Sequence, residues 1–377
     1  MKYRVMPGTD IKVSALGMGC MRLPTLPGEN DPIDKPEAIK MIRHAIDNGV
    51  NYIDTAYGYH NGMSESLVGE ALADGYREKV LLATKLPVWL VEKYEDMERL
   101  LDEQLARLNT EYVDVYLLHA IGGERFDKVE ALGATKFLDE MVAKGKIRYP
   151  GFSFHDEADA FLHILNAYDW KVCQVQMNLL DEFKQATMAG VYEAARRGIG
   201  VIVMEPVRGG SLVQNVPAEI LDIYASTGKN LRPADWAFKW LLDKPEFFTI
   251  LSGMSNMEQI DDNLRIFDEN EAGCLSEDER KMLTNVRLAY EARIQVGCTG
   301  CEYCLPCPQE INIPRILRGY DDAHVFGRLD GYFARYKEDV KENLCIECGA
   351  CVSACPQHFK LPIPEYLAQI HAMSGNY

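Results

Sequence analysis

Two stretches decide how this chain folds. They are Val80-Leu-Leu-Ala-Thr-Lys85 and Val113-Asp-Val-Tyr-Leu-Leu-His119, separated by the amphipathic segment Glu92–Leu108. Each is an apolar run that closes on one ionisable residue. Continuous apolar strands joined by a helix-period segment imply parallel pairing with helices covering the outside. The alternation continues in both directions. Further candidate strands are Ala15–Met18, Tyr52–Asp54, Tyr149–Ser153, Val172–Gln176, Val201–Met204 and Thr249–Ser252. Candidate helices between them are Lys35–Asn48, Lys128–Lys144, Glu157–Asn166, Thr187–Arg197 and Pro233–Leu242, with Glu258–Phe267 after the last strand. Eight such units in about 270 residues suit an α/β fold of the closed (β/α)8 TIM barrel type better than an open doubly wound sheet. Ahead of them, Lys2–Val13 reads as a hairpin turning at Pro7-Gly8, placed to cover the N-terminal mouth.

Composition bounds the partners. The hydrophobic fraction of 47% supports a sizeable core, and the net charge of −17 argues against nucleic acid and anionic membrane surfaces, which both need a basic patch; most of the acidity reads as what keeps the protein in solution. No apolar run has the length of a membrane span. The start, Met1-Lys-Tyr-Arg-Val5, lacks the apolar stretch of a signal peptide. Cys20, Cys173 and Cys274 are isolated, so a disulfide framework is not expected and a reducing, cytoplasmic setting is.

The other eight of the eleven cysteines fall in two groups near the end of the chain. One reads Cys298-Thr-Gly-Cys301-Glu-Tyr-Cys304-Leu-Pro-Cys307-Pro308, the other Cys345-Ile-Glu-Cys348-Gly-Ala-Cys351-Val-Ser-Ala-Cys355-Pro356. Three thiolates at every third residue wrap one cluster, and in two-cluster ferredoxins the fourth, followed by proline, ligates the other cluster. The second group keeps the bacterial ferredoxin spacing throughout. The first is one residue short before Cys307. Zinc sites favour two separated Cys-x2-Cys pairs, so two 4Fe–4S clusters are the expectation. By the crossing rule, Cys298, Cys301, Cys304 and Cys355 hold one cluster, and Cys345, Cys348, Cys351 and Cys307 the other. Clusters that only staple a small domain remain an alternative. Ser276–Ile294 reads as a helix, with Ser276 and Glu279 suited to a capping box. Ile313–Tyr320 and Gly331–Lys341 are helical in pattern, so the end of the chain is expected to be mainly helical. The expected divisions are a barrel over 1–272, a connecting helix over 273–297 and a ferredoxin-type domain over 298–377.

Catalytic residues of such barrels sit at the C-terminal ends of the strands. Asp54 closes one strand and is followed by Thr-Ala-Tyr57-Gly-Tyr59; Lys85 and His119 close the next two. A buried lysine beside a carboxylate and a phenol is expected to lower the phenol's pKa and prepare it to donate a proton, with His119 orienting a carbonyl oxygen. His155, His60 and Tyr57 read as loop or lining residues, and Cys20 as a small buried hydrophobe.

This tetrad of Asp54, Tyr59, Lys85 and His119, with its Asp54-Thr-Ala-x-x-Tyr59 spacing, resembles that of the aldo-keto reductase superfamily. Ser64-Glu-Ser-Leu-Val-Gly-Glu-Ala-Leu72, Gly145-Lys-Ile-Arg148-x-x-Gly151-Phe-Ser153 and Gln174-Val-x-x-Asn178-Leu-Leu180 resemble other family segments. With its cysteines the chain resembles the bacterial branch fused to a ferredoxin-type domain. The resemblance implies NAD(P)H-dependent reduction of an aldehyde or ketone, or the reverse oxidation of an alcohol, with Tyr59 as the acid. It implies cofactor contacts from Ser153, Gln174, Gly253, Gln259 and Asn263; separately, the loop Arg208-Gly209-Gly210-Ser211 offers backbone amides to a pyrophosphate. Two family features are replaced: Phe154 follows Ser153 where asparagine is usual, and Met204 stands where an aromatic stacks on nicotinamide. No flavin signature is present, although a nicotinamide gives two electrons together and each cluster takes one. Three roles for the clusters therefore stay open: passing electrons to a redox partner such as a ferredoxin, serving an unusual reduction at the barrel mouth, or holding the domain together. The alternative is an electron-transfer or assembly protein whose barrel has lost nicotinamide chemistry.

Overall fold

A computed structural model describes residues 1–28, 32–340, 345–356 and 361–375. It comprises two compact units. The first joins Met1–Gly209 to Ala234–Glu277, and the second joins Gly210–Pro233 to Asp278–Tyr377.

The first unit opens with an antiparallel hairpin, β1 (Tyr3–Val5) and β2 (Lys12–Ser14). Then come β3 (Leu16–Gly19), β4 (Tyr52–Asp54), β5 (Leu81–Leu86), β6 (Val113–Ile121), β7 (Ile147–Phe154), β8 (Val172–Gln176), β9 (Gly200–Met204) and β10 (Phe247–Ser252). These eight close into a parallel barrel, with β10 paired to both β9 and β3. The interior is packed: Tyr52, Leu81, Val115, Leu117, Ile202 and Phe248 belong to one buried cluster. Met6 and Val13 of the hairpin region join it, so the hairpin closes the N-terminal end as expected. Arg4 ties the hairpin down by donating to the carbonyls of Lys244 (2.8 Å), Leu242 (2.5 Å) and Phe247. Gly151 is required where β7 meets β8, because a Cβ there would lie 2.4 Å from the Val172 carbonyl oxygen.

Two helical expectations differ from the structure. The stretch expected as one helix over Lys128–Lys144 is two, Gly123–Glu130 and Ala134–Ala143. Gly133 breaks it with a φ of 90°, a left-handed conformation that glycine adopts without steric cost. Helix Ala218–Ala225 has no counterpart in the sequence reading.

The second unit holds Ala218–Ala225 together with helices Glu277–Glu291, Ile313–Phe326, Leu329–Val340, Ala350–Ala354 and Ile363–Ser374. Lys341, the expected end of one helix, lies outside the described residues. The expected barrel boundary at 272 therefore differs from the observed division, since the insertion after β9 belongs with the later helices. Its contacts explain why. Glu219 pairs with Arg293, Lys229 pairs with Glu279 at 2.7 Å, and Ile220 and Tyr224 are buried. Ile313, Leu317, Tyr320, Phe333, Leu367 and Ile370 form the core, and six of the paired-group cysteines pack against it. The carboxylate of Asp321 accepts from the backbone amides of Gln295 (2.9 Å), Val296 (2.8 Å) and Gly297 (2.9 Å), fixing the chain just before Cys298. Among the described residues, no helix is long and apolar enough to cross a membrane.

Candidate active site

The ends of β4, β5 and β6 converge at the C-terminal mouth. Lys85 is fully buried, and its ammonium spends all three protons. It donates to Asp54 Oδ1 at 2.7 Å, to the Thr55 carbonyl at 2.9 Å and to the Tyr59 hydroxyl at 3.3 Å. The Lys85 backbone is itself held, because Gln104 Nε2 donates to its carbonyl at 2.9 Å and to buried Glu65 at 2.7 Å. Burial works against the ammonium, but the attraction and hydrogen bonds of Asp54 and Tyr59 outweigh it and hold its pKa above the ordinary value. Burial raises the carboxyl of Asp54, and Lys85 offsets this only in part.

Tyr59 departs from the expectation of a lowered phenol. Burial pushes its pKa up, Lys85 pulls it down, and Asp54 adds a further upward push, so the net shift is upward. The carboxylate that fixes the lysine thus works against it at the phenol.

His119 stands beside Tyr59, ring centroids 6.1 Å apart and nearly perpendicular. Burial, followed by the positive charges of Lys85 and Arg125 and by His155, pushes its pKa down to about 3. The imidazole is neutral. Its Nδ1 is buried without a partner. A bulge sets the ring. Leu118 is in register with Phe152 and Ile121 with Phe154, leaving both His119 and Ala120 opposite Ser153. Ala120 takes a φ of 51°, and its amide donates to Ser153 Oγ at 2.7 Å. Such bulges re-aim side chains beside active sites.

The expected cofactor residues fall into two sets. Ser153 and Gln174 are register partners on β7 and β8, and both are buried. Ser153 accepts from Ala120 and keeps its hydroxyl proton to donate. Gln174 Nε2 contacts Met204 Sδ at 3.5 Å, while its Oε1 is buried with no partner. A donor and an orphaned acceptor side by side fit a carboxamide. The second set lies at the exits of β9 and β10. Gly209 and Gly253 are exposed. Gln259 Oε1 accepts from the Ser255 amide at 2.8 Å, and buried Asn263 donates to Ser252 Oγ at 2.9 Å, so both brace this loop. Asn178, whose Nδ2 donates to the Glu205 carbonyl at 3.1 Å, braces the other.

Sequence reasoning missed two side chains here. Trp89, half exposed, sits 5.1 Å from the His119 ring and gives the mouth an apolar wall. Arg22 follows β3 and reaches across to Glu205, 3.6 Å away. Neither carried a motif. Trp89 was identifiable only as an aromatic shortly after a strand end, and Arg22 only as a lone cation after another.

In the second unit the cysteines surround two cavities. Cys298, Cys301, Cys304 and Cys355 line one, walled by Pro314, Leu317 and Leu361. Cys307, Cys345, Cys348 and Cys351 line the other, with Pro306, Ile346 and Leu367. Cys304 and Ile313 border both. Four thiols around an apolar-walled cavity are a donor set suited to an iron–sulfur cluster.

Residues 15–286 match the profile of the Aldo/keto reductase family. The chain belongs to that family. Residues 297–359 match a 4Fe–4S dicluster domain. The uncharacterized oxidoreductase YqkF of Bacillus subtilis is 25% identical over 75% of this chain and 95% of its own. The NADH-specific methylglyoxal reductase of Escherichia coli is 27% identical over 70% and 92%. The holo form of an aldo-keto reductase from Bacillus halodurans superposes with a TM-score of 0.64 at 25% identity, covering 76% of this chain and 96% of its own. This aldo/keto reductase is thus an oxidoreductase enzyme whose family barrel carries a 4Fe–4S domain.

Proposed function

We propose that the barrel reduces a small aldehyde or ketone with NAD(P)H, or runs the reverse oxidation, and that the second unit carries two clusters exchanging single electrons with a redox protein such as a ferredoxin. The observation that carries the first part is Lys85, whose ammonium bonds Asp54 and Tyr59 together at the mouth. Bound nicotinamide supplies hydride to the carbonyl carbon. Tyr59 gives its proton to the carbonyl oxygen, and Lys85 stabilises the phenolate left behind. His119, neutral, donates from Nε2 to the same oxygen and orients it. Ser153 and Gln174 would hold the carboxamide of the nicotinamide, filling the orphaned Oε1. Gly209, Gly253, Gln259 and Asn263 would line the rest of the dinucleotide. Trp89 would favour a short, partly apolar substrate. The methylglyoxal reductase named above acts on a small carbonyl compound, which agrees with this class.

The test is NADH and NADPH oxidation with a panel of small aldehydes and ketones. Tyr59→Phe should abolish turnover while dinucleotide binding and fold persist; full turnover by that variant would remove Tyr59 from the role.

A second reading is favoured by Phe154 and Met204, which stand at two expected nicotinamide contacts. On it the barrel has lost hydride chemistry and the protein serves electron transfer or assembly. Titration with NADH and NADPH, followed by cluster absorbance and EPR, separates the two. Bleaching supports coupling of hydride chemistry to the clusters, binding without bleaching means independent clusters, and no binding leaves the second reading.

A further inference from the structure

His119 has two neighbours of opposite kind. Trp89 offers it an apolar ring, 5.1 Å between centroids. Arg125 brings a charge. This arginine lies in the first turn of helix Gly123–Glu130, which follows β6, and its Nη1 donates to the Ala120 carbonyl at 2.6 Å. Ala120 is the bulge residue next to His119, so the guanidinium is anchored one residue from the imidazole. The end of β7 joins the same corner, because the His155 amide donates to the Ile121 carbonyl at 3.0 Å. The charge of Arg125 is felt at both rings: after burial, it helps to lower the pKa of His119 and of His155.

Arg125 is exposed, and among the described residues it forms no ion pair. Of the surrounding carboxylates, Glu124 makes no pair with it, Asp156 accepts from the Gly123 amide at 2.9 Å, Glu130 accepts from the Thr135 hydroxyl at 2.6 Å, and Asp127 pairs with His163 at 2.7 Å. In a chain of net charge −17, a cation that the protein's own acids leave open stands out beside this mouth. The guanidinium has more N–H donors than one carbonyl uses, and its planar fork matches a carboxylate in two parallel hydrogen bonds.

We propose that Arg125 binds a carboxylate carried by the substrate, so that the barrel prefers oxo acids, short carbonyl compounds with an anionic group, to neutral aldehydes and ketones. The carbonyl oxygen would lie at Tyr59 and His119, the carbon chain against Trp89 and the carboxylate on Arg125. The chemistry is that given above. Hydride from NAD(P)H adds to the carbonyl carbon, the Tyr59 proton goes to its oxygen, and the carboxylate is carried unchanged into a hydroxy acid. This inference rests on the nicotinamide reading above and deepens it by naming the substrate class.

The experiment compares kcat/KM of the intact protein for glyoxylate, succinic semialdehyde and glutaric semialdehyde with kcat/KM for their methyl esters, in the native chain, Arg125→Gln and Arg125→Lys. Circular dichroism controls for folding. Each ester keeps the aldehyde and removes the charge. The native chain should favour at least one acid over its ester about tenfold, as a partly solvated charge-assisted pair implies. The difference should lie in KM more than in kcat, because a carboxylate that takes no part in the hydride step binds alike in ground and transition states. Arg125→Gln should bring the ratio of acid to ester close to one, and Arg125→Lys should restore part of it. An arginine that only clamps Ala120 would lower acid and ester together and leave their ratio unchanged. A ratio that Arg125→Gln does not lower, or a native chain that reduces the esters as well as the acids, overturns the substrate class and leaves the nicotinamide reading standing. A native chain that oxidises neither NADH nor NADPH with any of these compounds overturns both.

Discussion

At the scale of single residues the mouth is a problem in burying charge. The Lys85 ammonium is satisfied, but Asp54 Oδ2 is buried with no partner. Removing the cation leaves a buried carboxylate unpaired, so Lys85→Met should cost about 3–5 kcal/mol. The double change Asp54→Asn with Lys85→Met should cost less than the two single changes together. Denaturant unfolding checks both, and additive losses would mean that the pair is not coupled. His119 gives a pH signature. Its pKa is about 3 against an ordinary 6.5, so the unfolded chain takes up a proton in that interval and the folded chain does not. The stability that neutral burial contributes is present above pH 6.5 and is lost as pH falls toward 3. His119→Asn should flatten the acid side of the stability curve within that window. In native turnover no His119 ionisation should appear near neutral pH.

At the scale of elements, strand order was legible because each core strand is an apolar run separated from the next by a segment of helical period, and three of them carry Asp54, Lys85 and His119 near their ends. That Asp54, Tyr59, Lys85 and His119 meet at one mouth was legible from three of these strand ends, since register sets which strand ends lie side by side. The bulge was not. It depends on β6 having one residue too many against β7, and no local pattern distinguishes Ala120 from its neighbours. The break at Gly133 was hidden inside a segment with helical periodicity on both sides. The upward shift of Tyr59 depends on burial outweighing Lys85, which spacing cannot reveal. If the bulge aims His119, its clamp matters. Ser153→Ala removes the acceptor of the Ala120 amide and should lower turnover about tenfold through a misplaced imidazole. In a His119→Ala background that part of the loss should disappear; an undiminished loss there would assign Ser153 wholly to the cofactor.

At the scale of the whole molecule, the division of the chain was harder to read than its parts. The insertion Gly210–Pro233 lies within the barrel's stretch of sequence yet folds with the second unit, and only its tertiary partners, such as Arg293 for Glu219, reveal that. The cysteines are the opposite case, because their spacing alone suggested which would share a cavity. The two cavities join Cys355 to Cys298, Cys301 and Cys304, and Cys307 to Cys345, Cys348 and Cys351. The one-residue shortening before Cys307 leaves it able to reach the second cavity. Crossed sharing predicts a distinctive response to paired substitutions. Cys298→Ser with Cys355→Ser damages one cluster only, so iron should fall by about half from the roughly eight atoms of two 4Fe–4S clusters. Cys298→Ser with Cys307→Ser damages both, so little iron should remain. Sequential sharing, in which each group of four holds its own cluster, predicts the reverse order for the same two proteins. Each pair therefore serves as the other's folding control, and iron content with EPR of the reduced clusters decides between the arrangements. Equal loss in both pairs would mean that one cluster cannot persist without the other. The apolar wall shared through Ile313, and Cys304 bordering both cavities, would then be the route by which losing one cluster unravels the other's site.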